Sequence, residues 1–430
     1  MNNELVRMIS PETEPTLSKV FDNAALETAI RLAETLCRTA RWNADETLCH
    51  WQGSTVLDAD SEFPRSVTRD LDGDLYNGTA GIALFLSDVA RHHPDVRLTQ
   101  TARGAIRSAF RWAGPDAFPL GVYAGRPGLL YLAQHLDDAF KPLVPDGFED
   151  ELFARIEALL VNRKPMLLDL FNGAAGAMLV LLRTGPRGVD LAARLGEEIC
   201  ARADWRDDHC SWDSQEACGL QAEPLSGLSH GASGIALALL RLFAATGEQE
   251  FLVTARGAYA YEDTLFEPAL NNWLDVRFVE TVEDARQKRR AAPAWCHGAP
   301  GIALSRMEAC RLDGECAGQY APMLDNAIVS TQRMLQTALE DDGYDASFCH
   351  GVSGLCGILD LLGRGLERTQ LREVARASMT RLIRQHVDLA FPSGIFDRSP
   401  SPSLMLGTAG VGYGLLRLRE NGERDSLLLL

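Results

Sequence analysis

Cys296 and Cys349, each followed directly by a histidine, are the strongest candidates for metal chemistry in this sequence. Thiolates and imidazoles are ligands that zinc prefers, and two thiolates, one imidazole and one open position would make a catalytic zinc site. Such a zinc would stabilise an incoming thiol as its thiolate, a nucleophile near neutral pH. His230 follows a serine at the corresponding position and is a candidate acid or base. The alternatives are two buried thiols without a metal and a hydrogen-bonded core histidine.

These three residues lie beside a motif that recurs along the chain. A Gly-x-x-Gly sequence followed by a strongly apolar segment occurs seven times, at intervals of 47 to 67 residues, as in repeat proteins. The motifs begin at Gly78, Gly125, Gly173, Gly231, Gly298, Gly351 and Gly407. Cys296 and Cys349 each stand two residues before a first glycine, so neighbouring repeats would place them side by side.

The apolar segments, rich in Leu, Ala, Met and Arg, predict buried helices. Amphipathic stretches between them, such as residues 24–40, predict helices with one solvated face. The fold prediction is therefore all-α: an α/α toroid (barrel) of seven inner and seven outer helices, with an open solenoid as the alternative. In a closed ring, the residues before the first glycines converge on a central cavity. The longer intervals predict loops or small insertions at residues 201–226 and 268–294.

Composition and charge exclude several other classes of protein. The net charge of −17 and pI near 5.0 disfavour binding to nucleic acid or to an anionic membrane. No apolar run reaches the roughly 18 residues of a membrane span, and the amino terminus lacks the pattern of a signal peptide. Ten cysteines in 430 residues are too few for a disulfide scaffold. We therefore expect a cytoplasmic protein.

Four segments give the sequence a specific resemblance to the lanthionine synthetase C-like cyclases, and most closely to the cyclase half of class II lanthipeptide synthetases. They are GLSHGASGIAL at 227–237, AWCHGAPGIAL at 294–304, SFCHGVSGL at 347–355 and LGTAGVGYGLLRL at 406–418. The resemblance implies one α/α toroid cyclase domain over residues 71–430, with residues 1–70 as an N-terminal helical segment packing on it. It also implies that the zinc is held by Cys296, Cys349 and His350.

The resemblance implies a reaction as well. Such enzymes add a cysteine thiol of a dehydrated precursor peptide to the β-carbon of dehydroalanine or dehydrobutyrine, and protonate the resulting enolate to close a thioether ring. His230 and Asp169, which lies four residues before Gly173, are the candidates for moving or orienting the proton. An acid near a helix start is also commonly a cap, so Asp169 keeps that alternative.

The sequence departs from the family in three places. Where single-domain class I cyclases have an arginine and a tyrosine around the first zinc cysteine, this chain has Ala292 and His297. We expect His297 to lie unused beside the zinc, although it could act as the proton donor. Residues 1–70 are too few for the dehydratase domain of the class II enzymes. We therefore expect either a separate dehydratase as partner or an excised cyclase domain.

Two alternative functions stay open. One is the addition of glutathione or another small thiol to dehydroamino acids, and the other is a non-catalytic relative that binds a modified peptide or escorts a synthetase. An unrelated glycosidase on the same fold would need paired carboxylates, and Asp169 has no convincing partner. We expect the protein to be a monomer.

Overall fold

Alternating amphipathic and apolar helices make up most of the chain. The computed structural model describes residues 14–57, 65–114, 120–214, 223–341, 344–419 and 426–430. Within these residues, seven helices form an outer layer: α1 (Glu14–Thr39), α3 (Val96–Arg111), α5 (Phe148–Val161), α7 (Pro186–Ala201), α9 (Gln249–Thr264), α12 (Ala317–Glu340) and α14 (Thr369–Gln385). Seven others in the same ranges form an inner layer: α2 (Thr79–His92), α4 (Pro127–His135), α6 (Ala174–Leu181), α8 (Ala232–Thr246), α11 (Ala299–Leu312), α13 (Val352–Gly365) and α15 (Thr408–Arg419).

The two layers differ in burial as their sequences require. Every residue of α6 is buried, which matches its apolar character on all sides. In α3 the buried residues, which include Leu98, Ala102, Ala105 and Ala109, recur at steps of three and four and leave the other face to solvent. In the described part of the chain, each helix is too short or too polar to cross a bilayer.

The inner helices form a closed ring. Each inner helix contacts the next one along the chain, and α15 contacts α2. The first helix, α1, packs against α15, so the N-terminal helix completes the last inner-outer pair. The predicted α/α toroid of seven inner and seven outer helices is confirmed, and the open solenoid is excluded.

The second glycine of each repeat is required by a close backbone approach. In all seven repeats a Cβ at this glycine would lie 1.9–2.3 Å from the carbonyl oxygen of the residue six positions earlier. At Gly176, for example, it would lie 2.0 Å from Leu170 O. A side chain here would therefore push the first turn of the inner helix away from the loop that precedes it.

Short antiparallel hairpins connect some of the helices. They are β1 (Arg41–Trp42) with β2 (Cys49–His50), β3 (Gln52–Leu57) with β4 (Arg65–Asp70), β5 (Asp204–Arg206) with β6 (His209–Ser211), and β7 (Phe266–Glu267) with β8 (Asn272–Trp273). The segment predicted as helical over residues 1–70 is thus helical in α1 but forms strands after it, where aromatic and β-branched residues favour pairing. Residues 1–13 and 58–64 lie outside the described residues, and the domain boundary at residue 70 stays a prediction.

The two long intervals hold small insertions. Residues 201–226 contain the β5–β6 hairpin, with 215–222 outside the described residues, and residues 268–294 contain β8 and the short helix α10 (Val282–Gln287). The hairpins β1–β2 and β5–β6 share one design. Each pairs a tryptophan with a buried cysteine (Trp42 with Cys49, Trp205 with Cys210), and each thiol donates to a carbonyl of the following outer helix at 3.4 Å. Burial raises the pKa of both thiols to about 12, so they are neutral core residues.

Residues 426–430 pack among the inner helices and loops. Leu427 and Leu428 are buried. The Tyr123 hydroxyl donates to Leu427 O at 2.6 Å and the Trp295 indole donates to Leu428 O at 2.8 Å. This segment therefore contacts the loops that precede α4 and α11.

Candidate metal centre and acid-base pair

The loops that precede the inner helices are joined by a closed ring of backbone hydrogen bonds. The seven bonds run from Tyr76 N to Tyr123 O (3.0 Å), Tyr123 N to Phe171 O (3.3 Å), Phe171 N to Ser229 O (3.0 Å), Ser229 N to Cys296 O (3.0 Å), Trp295 N to Cys349 O (3.0 Å), Cys349 N to Met405 O (2.9 Å) and Met405 N to Tyr76 O (2.9 Å). The positions before the first glycines therefore meet at one end of the toroid, as the repeat predicts.

A row of rings lies across this end and leads to the thiols. The ring centroids are 4.9 Å apart between Tyr76 and Phe171, 5.1 Å between Phe171 and His230, and 5.6 Å between His230 and His297. His297 is the residue after Cys296. The row gives the thiols an aromatic, weakly solvated neighbourhood in which charges interact more strongly than in water.

Cys296 and Cys349 share a hydrogen bond between their side chains. This bond lowers the pKa of Cys296 to about 6, against the opposing effect of burial, and it raises the pKa of Cys349. His350 when protonated, Arg277, and His230 when protonated also lower the pKa of the Cys296 thiol through their positive charges. Of the two thiols, Cys296 is therefore the one that loses its proton more readily.

His350 lies beside the thiol pair, and its ring is held by contacts at Nε2. Its Nε2 is 3.1 Å from Gly394 O and 3.8 Å from a carboxylate oxygen of Asp345. Because a carbonyl oxygen only accepts, Nε2 carries the hydrogen and Nδ1 has the lone pair. The absence of a side chain at Gly394 permits this approach, since a Cβ there would lie 2.7 Å from Nε2.

The three predicted zinc ligands are only partly assembled. In the described ranges, no three His, Cys, Asp or Glu side chains are arranged to hold a metal ion. Cys296 and Cys349 are in contact, whereas His350 is hydrogen-bonded to Gly394 O. The donor set nevertheless fits zinc chemically, because it offers two sulfur atoms and one imidazole. Histidines that bind metals commonly donate their second ring N–H to a carbonyl or carboxylate, as His350 does.

Asp169 and His230 form a second pair. Asp169 Oδ2 lies 3.1 Å from His230 Nδ1, and Oδ1 accepts the Asn172 N–H at 2.5 Å. Asp169 is 5% exposed. Its carboxylate thus stabilises its own loop and also orients His230, but it does not cap α6, whose N-cap is Gly173 without a side-chain cap bond. Because the carboxylate accepts from Nδ1–H, His230 presents Nε2 as its basic nitrogen.

His297 is buried next to this pair. Burial lowers its pKa well below the ordinary value, and the charges of Arg277 and His230 act in the same direction. The ring is therefore neutral at physiological pH. Arg277 is held by Asp275, whose two carboxylate oxygens accept from its Nε and Nη2, both at 2.9 Å.

Each predicted histidine borders a separate cavity. His230 and Asp169 line a narrow pocket of about 30 Å³ together with Arg202 and Trp212. His350 lies at the edge of an open groove of about 410 Å³, which is bounded by α12 and by the loop before α13.

Three residues of the site were not predicted from the sequence. Arg277 and Gly394 lie in connecting loops outside the repeated motif, and nothing in their local sequence marks them. Tyr76 does lie in the repeat register, two residues before Gly78. Its hydroxyl hydrogen-bonds Cys349, and burial raises its pKa well above the ordinary value.

Fold and site together define a class of protein: a closed α/α toroid that carries a pair of interacting thiols and a carboxylate-oriented histidine at one end of its ring. A family model described as "Lanthionine synthetase C-like protein" matches residues 69–429. The chain therefore belongs to the lanthionine synthetase C-like family, and the resemblance seen in its sequence is confirmed.

The known proteins similar to this chain include a biosynthesis protein and a solved cyclase structure. The "Lacticin 481/lactococcin biosynthesis protein LcnDR2" of Lactococcus lactis subsp. lactis is 24% identical over 393 residues, which cover 87% of this chain and 38% of that protein. The chain therefore spans well under half of the length of LcnDR2. The solved structure of "Nisin cyclase" matches with a TM-score of 0.60 and 18% identity, covering 80% of this chain and 88% of that one. This match supports the α/α toroid fold.

Proposed function

We propose that this chain is a zinc-dependent lanthipeptide cyclase, which forms lanthionine and methyllanthionine rings. The observation that carries the proposal is the meeting of the Cys296–Cys349 pair and the Asp169–His230 pair within one ring of loops. Family membership and the names of the two similar proteins agree with it.

Cys296, Cys349 and His350 would hold the zinc. When bound, the ion would lower the pKa of a substrate cysteine thiol and make its sulfur a nucleophile near neutral pH. The Gly394 carbonyl keeps the Nε2–H of His350 engaged and leaves Nδ1 for the metal. A thiolate already favoured at Cys296 lowers the free-energy cost of assembling the ligands, because cysteine binds zinc in its deprotonated form.

His230 transfers the proton in this proposal. Its Nε2 accepts the proton of the substrate thiol, the sulfur bonds to the β-carbon of the dehydroamino acid, and Nε2 returns a proton to the α-carbon of the enolate. The net change is addition of S–H across a C=C bond, with no atom gained or lost. Asp169 holds Nδ1–H and so keeps Nε2 available through both transfers. His297 stays neutral beside the pair and takes no proton.

The substrate is a dehydrated precursor peptide. We propose that its dehydroamino acids are made by a dehydratase activity outside residues 1–430. One observation favours the non-catalytic alternative, a protein that only binds the modified peptide: within the described residues, three metal ligands do not converge.

An assay on a dehydrated peptide with a single cysteine tests the proposal. Ring closure leaves the mass unchanged, so the readout is the fraction of peptide that an alkylating reagent can still modify, measured by mass spectrometry. We expect that fraction to fall with the wild-type chain and to stay constant with Cys349→Ala. Cys310→Ala, the same change at a thiol bonded to Ala317 O away from the site, should behave as wild type.

Other outcomes would select the alternatives. With glutathione present, a peptide that gains the mass of glutathione instead of losing its free cysteine would favour the small-thiol enzyme. Unchanged cysteine under both conditions, with tight binding of the peptide, would contradict the cyclase and favour the escort function.

A further inference from the structure

A buried carboxylate outside the proposed active site reaches the loop that carries His230. Glu262 lies on α9 and is 0% exposed. Its Oε1 accepts the Gly227 N–H at 2.9 Å, and its Oε2 accepts from the Ser233 hydroxyl at 2.7 Å. One side chain of the outer layer thus fixes both ends of residues 227–233, with His230 between them.

Glu262 is itself held in place by a buried arginine. Arg306 on α11 is fully buried, and its Nη2 lies 2.9 Å from Glu262 Oε2 and 2.8 Å from Asp263 Oδ1. Its guanidinium packs over the Tyr259 ring, 4.3 Å from the centroid. A buried ion pair contributes little net stability compared with apolar side chains of the same volume. Stability alone therefore does not account for charges at this position.

The loop held by Glu262 touches the loop of the first thiol. Gly227 has φ +97°, and a Cβ there would lie 3.2 Å from both Cys296 O and His297 Cα. Ser229 N donates to Cys296 O at 3.0 Å. The position of residues 227–233 thus sets where His230 stands relative to Cys296.

We propose that Glu262 is a positioning residue for the cyclisation reaction: the hydrogen bonds it accepts from Gly227 N–H and from the Ser233 hydroxyl fix the placement of His230 against the Cys296–Cys349 pair. The inference rests on the proposed function, in which His230 moves the proton. A displacement of about 1 Å at a reacting group can cost about a hundredfold in rate, so a single loop anchor has a measurable effect.

Two double variants separate these two hydrogen bonds from the buried ion pair. Glu262→Gln with Arg306→Met removes both buried charges but keeps an amide oxygen that can accept from Gly227 N–H. Glu262→Leu with Arg306→Met removes the same charges and also the acceptor, at similar volume. Because the ion pair is absent from both, any difference between them reports the contacts of this side chain with Gly227 N–H and the Ser233 hydroxyl.

The two variants are compared by amide hydrogen exchange and by kinetics, below the melting temperatures of both. We expect exchange in residues 227–233 to be about tenfold faster in the Leu variant, with residues 345–351 unchanged. We also expect kcat to be about tenfold to a hundredfold lower than in the Gln variant, at similar KM. Equal exchange and kcat within about twofold would overturn the proposal.

The two readouts separate this inference from the function on which it rests. If the wild type fails to cyclise any peptide, a local exchange difference still supports the anchor and its absence overturns it. If the Leu variant does not fold, Ser233→Ala replaces it, because that change removes one hydrogen bond to Glu262 without leaving a buried charge unpaired. Faster exchange confined to residues 227–233 would support the anchor, and unchanged exchange would contradict it.

Discussion

Replacing Asp169 by asparagine separates its two contacts. The new amide oxygen still accepts the Asn172 N–H, as Asp169 Oδ1 does now at 2.5 Å. The amide NH₂ then faces His230 Nδ1, where a carboxylate oxygen stood at 3.1 Å. Because an amide N–H only donates, Nδ1 has to become the acceptor and the ring proton moves to Nε2. The nitrogen that should take the substrate proton is then already protonated.

The expected loss follows from this change of tautomer. A positioned acid or base contributes about 10² to 10⁴ in rate, and the charge on Asp169 also stabilises the protonated His230. We expect kcat to fall about a thousandfold, which corresponds to about 4 kcal/mol of lost transition-state stabilisation. Folding stability should change by only about 1 kcal/mol, because the bond within the loop is kept.

The assay is single-turnover loss of the peptide thiol, and Asp74→Asn is its matched control. Asp74 has the same position in the first repeat and its Oδ1 accepts the Asn77 N–H at 2.7 Å, but the residue directly before the first glycine of the following repeat is Ala124 rather than a histidine. We expect this control to cyclise at the wild-type rate. A loss of less than about tenfold for Asp169→Asn, or an equal loss for Asp74→Asn, would refute the reasoning.

Three further predictions concern Gly394, Asp74 and His135. Gly394→Ala places a methyl 2.7 Å from His350 Nε2, so we expect about tenfold to a hundredfold weaker zinc affinity in a chelator competition, and unchanged affinity would contradict this role. Burial raises the pKa of Asp74 from 3.8 to about 6, so its contribution to stability is present below about pH 4 and is lost as pH rises through 6. Asp74→Asn should therefore raise the free energy of unfolding, measured with urea, by up to about 3 kcal/mol at pH 7 and by little at pH 4. Burial lowers the pKa of His135 from 6.5 to about 4, so the free energy of unfolding falls by about 3 kcal/mol as pH drops through that range. His135→Gln should make the free energy of unfolding depend less on pH between these values, and an unchanged pH dependence would contradict this prediction.

Repetition explains which features could be predicted from the sequence. The toroid and the meeting of Cys296 with Cys349 follow from equivalent positions in adjacent repeats, and the ring of backbone hydrogen bonds uses those positions. Asp169 and His230 also lie in adjacent repeats, near Gly173 and Gly231. For such residues, spacing along the chain translates directly into spacing around the ring.

Features outside the repeat depend on tertiary packing and could not be predicted. Gly394 and Arg277 reach the site from connecting loops, whose course no periodic pattern determines. The anchoring of the His230 loop by Glu262 depends on the rotation of an outer helix, α9, about its own axis. The contact of α1 with α15 joins opposite ends of the sequence. The hydrogen bond of His350 to Gly394 O depends on a side-chain rotamer, which sequence spacing leaves undetermined.

The most direct test of the central claim is the zinc content of the purified chain and of Cys349→Ala, measured by elemental analysis with circular dichroism as a check of folding. We expect about one zinc ion per wild-type chain and none in the folded variant, because removing one of three protein ligands leaves too few to retain the metal. Wild-type protein that contains no zinc and binds none when it is added, or a variant that keeps its full zinc content, would contradict the claim.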